Sequence, residues 1–224
     1  MKFAESSESE QEPNVFENYG GITVRLPREH SLWAHVLFNA SKVCVDLIQS
    51  GEIDIKQKSV LELGAGSGIC SFASVKSGAA HVSLNEYPDQ ELIDNLHFNV
   101  NNILTVNQKE QLKVTPFVWG RSLFERKFDV ILLCDVIQVV PAHSDIISEL
   151  IKNLERKGEV YLVYQHHEPK KIDKVNNFVE KMKEHGFEVE RVKTVHTGVQ
   201  FKEDQFGFEA EREVVHVFKG TWKN

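Results

Sequence analysis

Hydrophobic and polar positions change period several times along this chain, and each change marks an element. Residues 15–27 alternate loosely around Gly20-Gly21, which predicts a short strand or hairpin. From Glu29 to Gln49 the period becomes helical: Leu32, Trp33, Val36, Leu37, Ala40, Val43, Cys44 and Leu47 recur at spacings of three and four, and Gly51 ends the run. Short apolar runs then alternate with helical stretches. Strands are predicted at 59–64, 81–86, 113–119, 128–135 and 159–165, and helices at 67–77, 88–102, 141–156 and 169–185. The helices at 88–102 and 141–156 open at Pro88 and Pro141, favourable first-turn residues. Residues 187–195 and 211–220 close the chain as two strands with no helix between them.

This alternation predicts an α/β, Rossmann-like fold: a mostly parallel sheet with helices on both faces. The last two strands lack a crossover helix, so they must pair antiparallel or leave the sheet. An antiparallel C-terminal strand is expected. Neither an internal repeat nor a linker divides the chain. One domain over 15–224, with an N-terminal helical extension, is expected behind a Ser- and Glu-rich tail, 1–14, too polar to bury much surface.

Composition changes the picture mainly by exclusion. At 224 residues, with 41% apolar and 26% charged positions, the chain suits one domain with a sizeable core. The formal net charge of −7 leaves no broad basic footprint for nucleic acid. Cys44, Cys70 and Cys134 are odd in number and widely spaced, with no CxxC pair or metal-ligand cluster in the sequence, so they read as reduced core residues and no metal is expected. An acidic N-terminus is unlike a signal peptide, and no apolar run approaches the ~18 residues of a membrane span. A monomer in the cytoplasm, without a membrane partner, is the expectation.

The sharpest chemical feature is LELGAGSG, 61–68, between a strand and a helix. Gly64 and Gly66 let the backbone turn tightly beside a ligand, ahead of a helix N-terminus with free N–H groups. A dinucleotide fold would want GxGxxG, but Ile69 stands at the third glycine, which favours a turn cradling an amino-acid-bearing nucleoside over a pyrophosphate. Glu86 ends the next strand, 22 residues past Gly64, where an acid can accept hydrogen bonds from both ribose hydroxyls. Trp119, after the third strand, is placed to stack on or edge an adenine. Asp135 ends the fourth strand at the sheet's carboxyl edge, where it can hold a substrate amine or cap the loop. The run Gln165-His166-His167-Glu168-Pro169 ends the fifth strand and can orient substrate, while His143, His185 and His196 stand singly and are expected at the surface.

Taken together these segments carry a resemblance. LELGAGSG followed by NEYPD (85–89) looks like the seven-stranded class I methyltransferases. More narrowly, the chain resembles the nicotinamide N-methyltransferase-like family, including its branch of protein N-terminal and lysine methyltransferases acting on translation elongation factor 1-alpha. HSLWAHVLFNASK (30–42), FVWG (117–120), LLCDVI (132–137), YQHHEP (164–169) and VFKGTW (217–222) agree with it. The resemblance implies seven strands with the last antiparallel, S-adenosylmethionine as methyl donor, and a protein acceptor. It implies Trp33 touching the donor from the N-terminal helix, Gly64, Ala65 and Gly66 along its methionine and ribose portion, and Glu86 with Tyr87 at the ribose. Trp119 would sit by the adenine, Cys134 would touch the donor beside the catalytic Asp135, and His166 and His167 would face substrate. Related lysine methyltransferases often carry Asp-x-x-Tyr at the end of strand four; here the run is Asp135-Val136-Ile137-Gln138. A small-molecule N-methyltransferase and a non-catalytic donor-binding scaffold are the competing readings, with an NAD-dependent oxidoreductase disfavoured by Ile69.

Overall fold

A computed structural model describes residues 14–201 and 208–223. The expected tail, 1–14, lies outside the described residues except for Asn14. The chain opens with an antiparallel hairpin, β1 (Val15–Tyr19) and β2 (Ile22–Leu26), turning at Gly20-Gly21. A seven-stranded sheet follows, built from β3 (Ser59–Leu63), β4 (His81–Asn85), β5 (Leu112–Val114), β6 (Phe128–Cys134), β7 (Leu154–Gln165), β8 (Phe187–His196) and β9 (Val214–Trp222). Its order is β5-β4-β3-β6-β7-β9-β8. Strands β3 to β7 pair in parallel, and β9 slots antiparallel between β7 and β8. The expected α/β architecture with an antiparallel last strand is what forms.

Two apolar layers sandwich the sheet. One joins β2 and the sheet to α1 (Asn39–Ser50), α2 (Ile69–Lys76) and α3 (Gln90–Ile103), through residues such as Val43, Cys70, Phe72 and Leu96. The other packs α5 (His143–Asn153) and α6 (Ile172–Glu184) on the opposite face through Ile146, Leu150, Phe178 and Met182. The parallel strands are buried on both faces, so β6 reads as the near-continuous apolar run FDVILLC. Two short helices had no counterpart in the periodicity: α4 (Val106–Gln111), started by a Thr105–Gln108 capping box, and α7 (Glu209–Arg212).

Four expectations need correction. The last two strands are not helix-free between them: α7 takes residues 211–212 from the strand expected at 211–220, and β9 starts at Val214. The helix expected from Glu29 begins only at Asn39. The preceding segment folds as turns, because the His35 and His30 rings accept the backbone N–H groups of His30 (3.1 Å) and Leu32 (3.2 Å), and Trp33 adopts a left-handed φ of 60°. The strand expected at 113–119 stops at Val114, since Pro116 has no N–H for the ladder. His143 is not at the surface: it is 1% exposed, its Nε2 lies 2.8 Å from the Ile137 carbonyl, and burial lowers its pKa.

Candidate active site

The sheet leaves β3 outward to β4 and β5, then returns to β6 on the other side of β3. Open α/β sheets bind ligands at this reversal, beyond the carboxyl ends of the strands. The turns after β3, β4, β6 and β7 carry the residues picked out in the sequence, so one edge collects all four.

The glycine turn after β3 is built on positive φ angles, 67° at Gly64, 56° at Gly66 and 81° at Gly68. These three positions differ in what surrounds them. A Cβ at Gly64 would lie 2.7 Å from Val136 Cγ1 and 2.9 Å from Trp119 Cζ2. At Gly68 it would meet Leu84, Phe72 and Leu96 in the core. Above Gly66 the nearest heavy atom among the described residues is the Ala34 Cα at 4.0 Å, so the space there is open and bounded by the turn that carries Trp33. Gly68 therefore serves packing, whereas Gly66 borders a vacant approach to the backbone. The Ala65 N–H donates to the Asn85 carbonyl (3.0 Å), tying the turn to the end of β4.

Glu86, 7% exposed, closes that end. Its two carboxylate oxygens accept from the N–H groups of Gly66 and Tyr87, each at 2.7 Å. Burial pushes its pKa up, while these two hydrogen bonds pull it down. A carboxylate has about four lone-pair sites, so acceptor capacity remains for two hydroxyls. Tyr87 itself is half exposed. Trp119 is held by its indole N–H, which donates to Asn85 Oδ1 at 2.9 Å, and Asn85 Nδ2 in turn donates to the carbonyls of Thr115 and Phe117. Asn85 is fully buried and was not singled out in the sequence, although the tetrad NEYP contains it.

Across the switch point, Asp135 takes a left-handed φ of 59°, a strained conformation for a residue that is not glycine. Its Oδ1 accepts the Gln165 N–H (3.1 Å) and its Oδ2 lies 3.1 Å from His167 Nε2. The two histidines part company here. His167 turns to Asp135 and packs against Phe38 and Phe201, with ring centroids 5.4 and 5.2 Å away. His166 is buried against Tyr164 and His216, and burial lowers its pKa. Phe201 also touches Trp33, which is 53% exposed in its turn rather than in a helix. Gln165 binds this corner together: it accepts from Asn39 of α1 and donates to the carbonyls of Gly198 and Arg212, both at 2.6 Å. Phe38, Asn39 and Phe201 were not singled out as site residues in the sequence, because only the folded chain brings them to His167. A cavity of 600 Å³ lies beside the hairpin, lined by Arg25, Arg28, Glu29, His35 and Gln90 among others.

Cys134, 7% exposed, sits next to Asp135 with its sulfur 3.7 Å from that of Cys70. Cys44 joins them, and the three sulfurs lie within 4.8 Å of one another. The expectation that the cysteines form no cluster is thus corrected: residues far apart in sequence meet because α1, α2 and β6 converge beneath the glycine turn. Their mutual hydrogen bonds and burial hold all three thiols well above the usual range.

This sheet order and switch-point edge define a class I methyltransferase fold. Solved structures share it: Pyrococcus horikoshii PH1948, a candidate RNA methyltransferase, superposes with a TM-score of 0.66 at 20% identity, covering 90% of this chain and 93% of that one. P. horikoshii TYW2, in complex with MeSAdo, gives 0.62 at 17% identity over 93% of this chain and 71% of that one. The sequence profile of the lysine methyltransferase family matches residues 28–185, and the chain belongs to that family. It is 32% identical to the protein N-terminal and lysine N-methyltransferase efm7 of Schizosaccharomyces pombe, over 89% of this chain and 82% of the relative. It is 28% identical to the protein of the same name in Candida glabrata, over 82% and 75%. Fold and family together make the chain a methyltransferase enzyme.

Proposed function

We propose that the enzyme transfers the methyl group of S-adenosylmethionine to a protein amine, a lysine and/or an N-terminal α-amine, and that elongation factor 1-alpha is its substrate. The observation that carries the donor side is the bond between Glu86 and the glycine turn, 2.7 Å to Gly66 N, beside the space over Gly66. Gly64, Ala65 and Gly66 would line the methionine and ribose portion, Glu86 and Tyr87 the ribose, and Trp119 the adenine, with Cys134 and Trp33 at the two flanks. The donor's sulfonium supplies an already activated methyl group, so the protein's part is alignment and control of the acceptor's proton. Asp135, with His167 and the neighbouring His166, stands at the acceptor end.

The names of the yeast relatives, and the segments shared with the elongation-factor branch, support a protein acceptor over a small molecule. A translation factor as substrate goes with a monomer acting in the cytoplasm. Incubation with methyl-labelled S-adenosylmethionine and a cell extract tests the reading. The expected result is label in one protein band at the size of elongation factor 1-alpha, absent with Glu86→Ala. Label confined to small molecules would overturn the protein acceptor, and no label with donor binding intact would overturn turnover itself.

A further inference from the structure

His167 has one nitrogen engaged and one idle. Nε2 faces Asp135 Oδ2 at 3.1 Å. An ionised carboxylate only accepts hydrogen bonds, so Nε2 carries the hydrogen and, in the neutral ring, Nδ1 keeps a bare lone pair. Nδ1 is buried and has no hydrogen-bond partner among the described residues. Buried polar atoms are nearly always partnered, so an orphan next to a substrate site points to a group that arrives later. The ring cannot easily turn to relieve it. Phe38 and Phe201 pack against it, and Asp135 is itself fixed by Gln165 N (3.1 Å) and by its own N–H donating to the Val163 carbonyl (2.9 Å).

We propose that His167 Nδ1 is the proton acceptor for the incoming amine, with Asp135 as the positioning residue that holds the ring in the required tautomer. The inference rests on the N-methyltransferase reading above. An N–H bond of the acceptor ammonium breaks and an N–H bond forms on Nδ1. The electron pair stays on the amine nitrogen, which takes the methyl as the carbon–sulfur pair leaves on sulfur. The imidazolium stands beside the Asp135 carboxylate until it returns its proton to solvent. Phe38 and Phe201 pack against the same imidazole, and apolar rings beside an arriving ammonium disfavour its charge and so ease the transfer.

This arrangement also ranks acceptors. A lysine amine ordinarily titrates near ~10.4, an α-amine near ~7.7–8.0 and an imidazole near ~6.5, so an imidazole base is far better matched to an N-terminal α-amine than to lysine. Among the described residues, the titratable groups around the ring are Asp135 from the end of β6 and His166 from its own segment; Glu211 of α7 acts on His166, and Phe38 and Phe201 add no charge.

The test uses the full chain with elongation factor 1-alpha and labelled donor, comparing wild type, His167→Gln and Asp135→Asn in single turnover from pH 6 to 9, with donor affinity measured in parallel. Gln at 167 can still donate to Asp135 but has no basic lone pair. The expected result is a rate at pH 7 lowered by ~100-fold or more in His167→Gln, an unchanged donor Kd, and a deficit that shrinks toward pH 9 as the amine loses its proton to solvent. Asp135→Asn should lower the rate in the same direction. A His167→Gln enzyme with the wild-type rate overturns the proposal, as does a loss equal at every pH, which would mark a packing role. Failure of wild type to label any protein would instead remove the reading underneath and this proposal with it.

Discussion

Glu62 is charged chemistry placed inside the core, and replacing it by Gln isolates its effect. The side chain leaves β3 beneath α2 and is 2% exposed. Its Oε2 accepts both the N–H (2.9 Å) and the O–H of Ser71, yet burial outweighs these bonds and pushes its pKa from 4.5 to about 7. Between those two values the folded chain keeps a proton that the unfolded chain releases. The native state therefore binds more protons than the unfolded state, and stability must fall as pH rises through this window. The contribution is fully present below 4.5 and gone above 7. A gap of about 2.5 pH units, at ~1.4 kcal/mol each, amounts to about 3 kcal/mol. Gln keeps an acceptor for Ser71 and never ionises. Urea unfolding should give Glu62→Gln a stability close to wild type at pH 5 and up to about 3 kcal/mol above it at pH 8, with m unchanged. Taking the difference between the two proteins cancels the titration of the surface groups, while Glu86, whose charge helps raise the Glu62 pKa, moves with the substitution in the same direction. An offset independent of pH, or a variant less stable at pH 8, would refute the reasoning.

Gly64→Ala should cost about 2–5 kcal/mol, from the left-handed backbone and from contacts below 3 Å with Val136 and Trp119 that must be relieved. Gly66→Ala, with nothing nearer than 4.0 Å, should cost only ~1–2 kcal/mol while weakening donor binding at least as much; denaturation and calorimetry separate the two. Asn85→Ala strips an acceptor from the Trp119 indole and a donor from the carbonyls of Glu86, Thr115 and Phe117. A loss of about 1–3 kcal/mol in stability is expected, together with a larger donor Kd because the ring that would flank the adenine is freed.

The sheet was legible because its strands announce themselves. Runs such as SVLEL and FDVILLC are short and mostly apolar between turn residues, with one carboxylate each, and their length and β-branched content suit a strand buried on both faces. Gly64, Glu86 and Asp135 were legible for a related reason: each ends such a strand, so its place on the sheet edge follows from the strand alone. The helix over 29–38 was misread because periodicity registers apolar spacing and not competing hydrogen bonds. The His30 and His35 rings capture backbone N–H groups that a helix would need. Histidine 143 was misread as exposed because a lone His gives no periodic signal of its own. The corner around His167 was the least legible part. Phe38, Gln165 and Phe201 lie more than a hundred residues apart at the extremes, and what joins them is the antiparallel return of β9 and the entry of α1. Periodicity reports local geometry, and that corner has none until the chain has closed.

The three sulfurs beneath the glycine turn have a practical consequence. Cys44 and Cys70 are completely covered, and they reside on α1 and α2, the two helices that must part from the sheet for any reagent to enter. Alkylation of these thiols is therefore a clock for that parting, readable by mass spectrometry from the adduct on each cysteine. Because Cys70 is the second residue of α2, directly after the glycine turn, its labelling rate follows the opening of the proposed donor cradle. A donor that grips the folded cradle must slow the clock in proportion to its occupancy, so the enzyme carries an affinity gauge that needs no turnover and no knowledge of the acceptor.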